Sequence, residues 1–136
     1  MAQLLTPGGR DGTVIGIGVD LVEVDRMRTA LARTPTLAAR LFTAGERTYA
    51  EQVGDPSERY AVRFAAKEAV MKALGVGLGA VDWHDVEVDR NADTGEPSVA
   101  LTGRAAMLAA DRGVRGWKLT LTHTRSLAEA IAVALG

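Results

Sequence analysis

The sequence predicts an α+β domain in which a mostly antiparallel sheet packs against one long helix. Apolar segments at residues 14–19, 117–123 and 127–135 indicate strands, and the last two read as a hairpin. Residues 57–74 form the longest uninterrupted helical pattern of the chain, and a glycine follows at once. The predicted order, β-α-α-α-α-β-β-α-β-β, does not alternate as a parallel α/β protein does, and therefore favours an antiparallel sheet.

The first elements follow a short segment without periodicity. Residues 1–12 carry proline, glycines and mixed charge, and we interpret them as a loose leader before a single domain at residues 13–136. Residues 14–19 are a continuous apolar run with glycines, which is typical of a buried strand.

Three helices are predicted after this strand, at residues 23–33, 36–42 and 43–53. Pro35 ends the first, because the residue before a proline disfavours helical backbone. Thr43 and Glu46 have the spacing of a capping box, which begins the third.

The second half begins with the long helix, which Gly75 is expected to end. Residues 54–57 make the turn before it and offer caps. Strands are predicted at residues 86–89 and 98–101, with turn-forming residues between them. A helix at residues 103–112 leads to the final hairpin.

The bulk composition excludes several classes of protein. A chain of 136 residues with 47% hydrophobic and 24% charged residues forms one soluble domain with a single core. It has no cysteine and two histidines, so a metal must depend largely on carboxylates, which favours Mg²⁺. The net charge of −1 argues against nucleic-acid binding, and no apolar run predicts a membrane span or a signal peptide. We expect a cytoplasmic protein.

The long helix carries the most informative pattern. At about 100° per residue, four charged residues fall within one half of its circumference: Arg63, Lys67, Glu68 and Lys72. Three cations around one carboxylate suit a ligand that brings both phosphates and a divalent metal. The ordinary alternative is a solvated helix face with a Glu68–Lys72 pair one turn apart.

Two isolated residues add to this pattern. Asp20 directly follows the first predicted strand, and His123 closes the first strand of the terminal hairpin. A carboxylate at a strand end is held rigidly and suits a metal, although Asp20 could equally be the N-cap of the helix that follows.

These pieces together resemble the 4′-phosphopantetheinyl transferases, in particular the short holo-[acyl-carrier-protein] synthase type. The matching segments occur in the family's order: Gly18-Val19-Asp20, then Phe64 through Lys72 as Phe-x-x-Lys-Glu-Ala-x-x-Lys, then the glycine-rich run at 75–79, then Thr122-His123. The resemblance extends from about Thr13 to the last residue.

The resemblance implies a reaction and its catalytic residues. The serine hydroxyl of an acyl carrier protein attacks the β-phosphate of coenzyme A, and the products are a phosphopantetheinyl serine and 3′,5′-ADP. Asp20 and Glu68 are implied as Mg²⁺ ligands, and Glu68 also as a candidate base, directly or through a water. Lys72 is expected to contact the pyrophosphate. Lys67 is expected either at a phosphate or at the incoming hydroxyl.

The same resemblance implies the binding residues. Arg63, His123 and Thr124 are expected at the 3′-phosphate of coenzyme A, and the backbone at Gly75 and Gly77 close to the cofactor. Arg26 and Arg33 lie seven residues apart and therefore on one helix face, where we expect them to bind the acidic carrier protein.

The length of the chain adds an expectation about assembly. Larger members of the superfamily contain two similar halves with coenzyme A between them, whereas this chain supplies one half. A second copy must therefore complete the site, and the resemblance to the short type implies a homotrimer with sites at the subunit interfaces. Two other functions stay open: a metal-dependent hydrolase of nucleotide pyrophosphates, and a non-catalytic module that binds coenzyme A or carrier protein.

Overall fold

A computed structural model describes residues 12–77 and 79–136. The predicted leader, except for Gly12, and residue 78 of the glycine-rich run lie outside the described residues. The α+β class and the predicted order of strands and α-helices are confirmed. The elements are β1 Val14–Glu23, α1 Val24–Arg33, α2 Leu37–Leu41, α3 Ala44–Ala50, α4 Ser57–Leu74, a short 3₁₀ helix Trp83–Asp85, β2 Val86–Arg90, β3 Pro97–Leu101, α5 Gly103–Asp111, β4 Gly116–His123 and β5 Leu127–Leu135.

The strands form two antiparallel sheets. The larger has the order β1-β5-β4, so the first and the last strands of the chain are neighbours. The smaller is the β2-β3 pair. The expectation of a mostly antiparallel sheet is thus confirmed, and in the described residues every strand pair is antiparallel.

Helix α4 lies directly on one face of the larger sheet, which we call the inner face. Small residues line this face: Gly16 and Gly18 of β1 and the alanines 128, 130, 132 and 134 of β5. A Cβ atom at Gly18 would lie 1.8 Å from the carbonyl oxygen of Ala69, and one at Gly16 would lie 2.0 Å from that of Ala73. The helix backbone therefore approaches β1 more closely than any side chain there would allow.

The opposite, outer face of the same sheet is open, and it is apolar over β1 and part of β5. Ile15, Ile17, Val19 and Leu21 of β1 and Ile131 of β5 are all exposed, Ile17 to 64%. The prediction that β1 is buried is therefore correct for only one of its two faces within a single chain.

A second core packs below the first half of α4. Helices α1, α2 and α3 contribute Val24, Met27, Leu41, Phe42 and Ala50 to it. The rings of Phe42 and Tyr60 lie 4.6 Å apart at their centroids. These helices thus fix α4 from the side that the sheet does not cover.

The predicted helix ends are mostly confirmed. Thr43 and Glu46 form the reciprocal capping box at the start of α3, and Gly75 ends α4 with a left-handed φ of 74°. Helix α3 ends at Ala50, earlier than predicted, and residues 51–54 form turns. In the described residues, no helix combines the length and the apolar character that crossing a bilayer requires.

The end predicted for the first strand is wrong. Strand β1 continues through Asp20 to Glu23, and Asp20 pairs with Ala130 of β5. The alternative in which Asp20 caps the next helix is wrong as well, because the N-cap residue of α1 is Glu23. Asp20 therefore projects from within a paired strand.

Candidate active site

Asp20 and Glu68 line the same open groove, with a volume of about 530 Å³. β1 supplies Asp20 and α4 supplies Glu68, and the close packing of α4 on β1 brings the two together. We call this the Asp20 groove. Its remaining walls come from β1, α1, α2, α4 and the 3₁₀ helix and consist of Leu21, Val22, Glu23, Arg26, Met27, Ala30, Leu37, Leu41, Phe64 and Trp83.

The two acids influence each other electrostatically. Partial burial raises the pKa of Glu68 above its ordinary value, and the negative charge of Asp20 raises it further, while Lys72 opposes the rise. The Lys72 ammonium lies 3.0 Å from Asp20 Oδ1 and donates a second hydrogen bond, also 3.0 Å, to the carbonyl oxygen of Val19. Lys72 is therefore paired with Asp20 across the helix–strand contact. The alternative in which Lys72 pairs with Glu68 on the same helix is not what the structure shows.

The residues present fit a hard divalent cation whose coordination shell is completed by ligands from outside the protein. In the described parts of the chain, no three His, Cys, Asp or Glu side chains cluster tightly enough to hold a metal by themselves. Asp20 and Glu68 line one groove, and the charge of Asp20 disfavours the ionised form of Glu68. This arrangement matches the way Mg²⁺ is usually bound, with substrate oxygens and waters filling the rest of its coordination shell.

Lys67 does not lie on the exposed charged face, and this part of the prediction is wrong. Its side chain is completely buried, and its ammonium lies 2.8 Å from Glu46 Oε1. It also donates hydrogen bonds to the carbonyl oxygens of Trp83, at 2.9 Å, and Val86. A buried ammonium whose donors are all engaged is not available to a substrate, so this position does not support a direct catalytic role for Lys67.

A second cavity, of about 410 Å³, contains Arg63 and His123. We call it the His123 cavity. Tyr49 lies in its wall between cations, with the guanidinium of Arg59 at 4.0 Å and that of Arg63 at 4.1 Å from the ring centroid. His123 Nδ1 lies 3.4 Å from Glu58 Oε2. The cavity therefore concentrates positive charge beside an aromatic ring.

Arg63 is buried, contrary to its predicted exposed position, but it still reaches this cavity. Only 5% of the residue is exposed, and burial lowers the pKa of its guanidinium. Its Nε is buried without a hydrogen-bond partner in the structure. An unpaired buried donor is costly, and an anionic ligand in the cavity would satisfy it.

The remaining predicted binding residues are placed as follows. Thr124 Oγ1 accepts hydrogen bonds from the backbone of Ser126, at 3.3 Å, and Leu127, at 3.1 Å, so it organises the β4–β5 turn beside His123. Gly75 and Gly77 have open space where a side chain would stand. Their predicted contacts with a cofactor stay predictions.

Arg26 and Arg33 are both exposed on α1, as predicted. Arg26 lines the Asp20 groove and has only a long contact of 4.0 Å to Glu23. Its neighbour Arg28 instead pairs with Asp25 and with Asp55, where the distance is 3.0 Å. Arg26 is thus the arginine best placed for a partner that enters this groove.

Sequence reasoning missed three features of the site. Glu46 was predicted only as a helix cap, although it is also the partner of Lys67. Tyr49 and its surrounding arginines gave no recognisable pattern. Trp83 was predicted to be a packing residue, yet it stacks on Phe64 with ring centroids 5.0 Å apart, and both rings line the Asp20 groove.

Comparisons with known proteins identify the family of the chain. The family profile of the 4′-phosphopantetheinyl transferase superfamily matches residues 16–129. A holo-[acyl-carrier-protein] synthase of Desulforudis audaxviator is 52% identical over 124 residues, covering 90% of this chain and 94% of that protein.

Solved structures with the same fold carry the same name. The holo-[acyl-carrier-protein] synthase of Neisseria meningitidis superposes with a TM-score of 0.82 at 28% identity, covering 91% of this chain and all (100%) of that one. A holo-(acyl-carrier-protein) synthase of Bacillus anthracis in complex with CoA (3′,5′-ADP) has a TM-score of 0.75 at 30% identity, covering 90% of this chain and 97% of that one.

Proposed function

Because the chain belongs to the 4′-phosphopantetheinyl transferase superfamily, we propose that it is a holo-[acyl-carrier-protein] synthase, which transfers 4′-phosphopantetheine from coenzyme A to a serine of an apo acyl carrier protein. The observation that carries this proposal is the pair of carboxylates, Asp20 and Glu68, in one open groove, with the Lys72 ammonium 3.0 Å from Asp20. The similarity to synthases extends over nearly the whole length of both proteins.

The reaction needs charge neutralisation, alignment and removal of one proton. The serine oxygen forms a bond to the β-phosphorus, the bond from that phosphorus to the bridging oxygen breaks, and 3′,5′-ADP leaves with the electron pair. Such transfers depend on positioning and electrostatic stabilisation. Lys72, half exposed beside Asp20, can move onto the pyrophosphate and stabilise the leaving group. Glu68, which lines the groove beside Asp20, is the candidate base for the serine proton, directly or through a water.

We propose Mg²⁺ as the cation, with Asp20 and Glu68 as its protein ligands. Bound there, it would neutralise charge on the pyrophosphate. The fit of two carboxylates that repel each other in a groove supports this choice.

We further propose that the working enzyme is a homotrimer whose site is shared between subunits. The Asp20 groove and the His123 cavity have no lining residue in common. Surfaces of two chains would then hold one molecule of coenzyme A. Its pyrophosphate would lie in the Asp20 groove of one chain, and its 3′-phosphate would lie at Arg63, His123 and Thr124 of another. The exposed apolar outer face of the sheet is suited to the interface, and threefold closure repeats one interface without an open edge.

The carrier protein is proposed to dock at the Asp20 groove. Arg26 lines the groove and Arg33 lies farther along the same helix, so acidic side chains of the carrier could pair with both. The apolar wall formed by Met27, Phe64 and Trp83 would receive apolar side chains. A cytoplasmic location, where coenzyme A and carrier proteins meet, is the prediction that accompanies this function.

Mass spectrometry of an apo carrier protein with coenzyme A and Mg²⁺ tests the function. The carrier should gain the mass of one phosphopantetheine, and 3′,5′-ADP should appear in equal amount. Release of 3′,5′-ADP without a carrier would indicate the hydrolase instead. Binding without either product would indicate the non-catalytic module.

Variants of the two acids test the site within the same assay. Asp20→Asn and Glu68→Gln should each lower kcat by about 100-fold or more while the protein stays folded, because each removes a ligand that holds charge in the transition state. Asp111→Asn, an exposed acid at the end of α5, is the matched control and should keep full activity. Normal Mg²⁺-dependent rates in either acid variant would refute the assignment.

A further inference from the structure

In the buried ion pair between Glu46 and Lys67, the Lys67 ammonium has three hydrogen-bond partners and both carboxylate oxygens of Glu46 accept at least one hydrogen bond. Lys67 donates to Glu46 and to the carbonyl oxygens of Trp83 and Val86. Glu46 accepts from the backbone N–H of Thr43 at 2.8 Å and from that of Val88 at 2.7 Å. Both side chains are 0% exposed. A buried pair of charges is stable only when it is satisfied in this way.

The pair joins four elements at one point. Glu46 belongs to α3 and Lys67 to α4, while Trp83 lies in the 3₁₀ helix and Val86 in β2. On the sheet side, the contacts of Gly16 and Gly18 with the backbone of α4 prevent the helix from moving closer. Helix α4 is therefore fixed in rotation by the ion pair and in distance by the glycines.

Two walls of the Asp20 groove depend on this junction. Glu68 is the next residue after Lys67 and lies about 100° around the helix, so a rotation of α4 would move its carboxylate relative to Asp20. Trp83, whose carbonyl oxygen accepts from Lys67, stacks on Phe64 in the apolar wall. The acid and the wall are held by the same ammonium.

We infer that Glu46 and Lys67 are positioning residues for the transfer reaction, and that Lys67 acts through the structure rather than on the substrate. The pair sets the rotation of α4 that places Glu68 beside Asp20, and it holds Trp83 in the apolar wall of the Asp20 groove. This inference rests on the proposed function for its kinetic readout, but the metal site can be measured without it.

The test compares Glu46→Gln, Lys67→Met and the double variant. Glu46 is buried and does not line the Asp20 groove, so a positioning role predicts that Glu46→Gln resembles Lys67→Met, whereas a direct action of Lys67 on the substrate does not. Each single variant should weaken Mg²⁺ binding, measured by calorimetry without coenzyme A, by about 10-fold or more, as loss of residues supporting a metal ligand does. Each should also lower kcat by about 10- to 100-fold, because small displacements of reacting groups have effects of this size.

The double variant separates positioning from chemistry. If the two residues act as one unit, its loss of kcat should be no larger than that of the worse single variant, because the effects of coupled residues are not additive. The pH profile of kcat should keep its shape in Lys67→Met. If Lys67→Met does not fold, the double variant is compared with Glu46→Gln instead, because it contains no unpaired buried charge.

A matched control separates positioning from a general loss of stability. Thr43→Val removes the hydroxyl that accepts from Glu46 N at 3.2 Å and donates to Glu87 at 2.6 Å, but leaves the Glu46–Lys67 contact in place. It should lower the melting temperature while keeping Mg²⁺ affinity and kcat within about 3-fold of the wild type.

Three results would overturn the inference: Glu46→Gln with wild-type Mg²⁺ affinity and kcat, multiplied losses in the double variant, or a changed pH profile in Lys67→Met. Absence of transfer by the wild type would refute the proposed function alone, and the Mg²⁺ affinities would still decide the positioning role.

Discussion

The two faces of the larger sheet are built from the same strands but from opposite kinds of residue. The inner face presents Gly16, Gly18 and four alanines to α4, and the outer face presents Ile17, Val19, Leu21 and Ile131 to solvent. Small residues allow the helix backbone to approach the sheet closely. Bulky apolar residues offer apolar surface to bury but keep a helix backbone at a distance. The inner face is thus covered by a helix of the same chain, whereas the outer face is the one that the proposed homotrimer would cover with another copy of the chain.

The largest expected effect comes from placing a side chain on the inner face. Gly18→Val puts a Cβ atom 1.8 Å from the carbonyl oxygen of Ala69, which is backbone and cannot move alone. We expect a loss of about 3 kcal/mol or more in the free energy of unfolding, measured by urea denaturation, because overpacking forces the backbone apart.

Gly54→Ala is the control for this substitution. No atom lies within 4 Å of the position of its Cβ, so the free energy of unfolding should change by less than about 0.5 kcal/mol. A Gly18→Val protein as stable as the wild type would show that α4 does not lie as close to β1 as described.

A charge on the outer face should affect assembly rather than folding. Ile17→Glu alters a residue that is 64% exposed in one chain, so the subunit should still fold. Light scattering coupled to size exclusion should show mass falling from about three times 14.3 kDa to 14.3 kDa, and kcat should fall by about 10-fold or more as the shared site is lost.

Met107→Glu provides the comparison for the outer-face variant. Met107 is 68% exposed but lies on α5, outside the larger sheet, and its substitution should leave the mass and kcat unchanged. A wild-type protein that is monomeric and fully active would contradict the shared site directly.

The smallest expected effect lies at the groove where the inner face opens to solvent. Because the folded-state pKa of Glu68 is raised, its contribution to stability is full below the ordinary value and is lost as pH rises through the raised pKa. Glu68→Gln should therefore stabilise the metal-free protein at pH 7 and increase its melting temperature. The gain in the free energy of unfolding should be at most about 1 kcal/mol, because solvent screens a partly exposed carboxylate.

The pH dependence checks the cause of that gain. Thermal melts of wild type and Glu68→Gln should converge as the pH falls below the ordinary pKa of glutamate, where the wild-type carboxyl group is protonated in both states. A difference that persists unchanged there would assign the effect to packing rather than to charge.

The sequence predicted the elements well and the burial of particular residues less well. Apolar runs, the Thr43 capping box and Gly75 located strands and helix ends because these signals are local. The open side of β1 could not be predicted, since an apolar strand has the same pattern whether a helix or another subunit covers it.

The failure at Lys67 has a similar cause. Helical periodicity places it among charged residues, but its partner Glu46 lies in another helix. Only the tertiary structure brings the two together. Asp20 and Glu68, predicted together as Mg²⁺ ligands from the family resemblance, line one groove, because the resemblance supplied long-range information that periodicity lacks; their role as ligands stays a prediction.

The order of the larger sheet has a consequence for biosynthesis. β1, which carries Asp20, pairs with β5 from the other end of the chain, with Val14 opposite Leu135. Contacts between such distant segments form late and slow folding, and a ribosome releases β1 long before β5. The acids of the proposed metal site lie on β1 and α4, so the nascent chain holds both of them before β5, the strand that pairs with β1, has been synthesised.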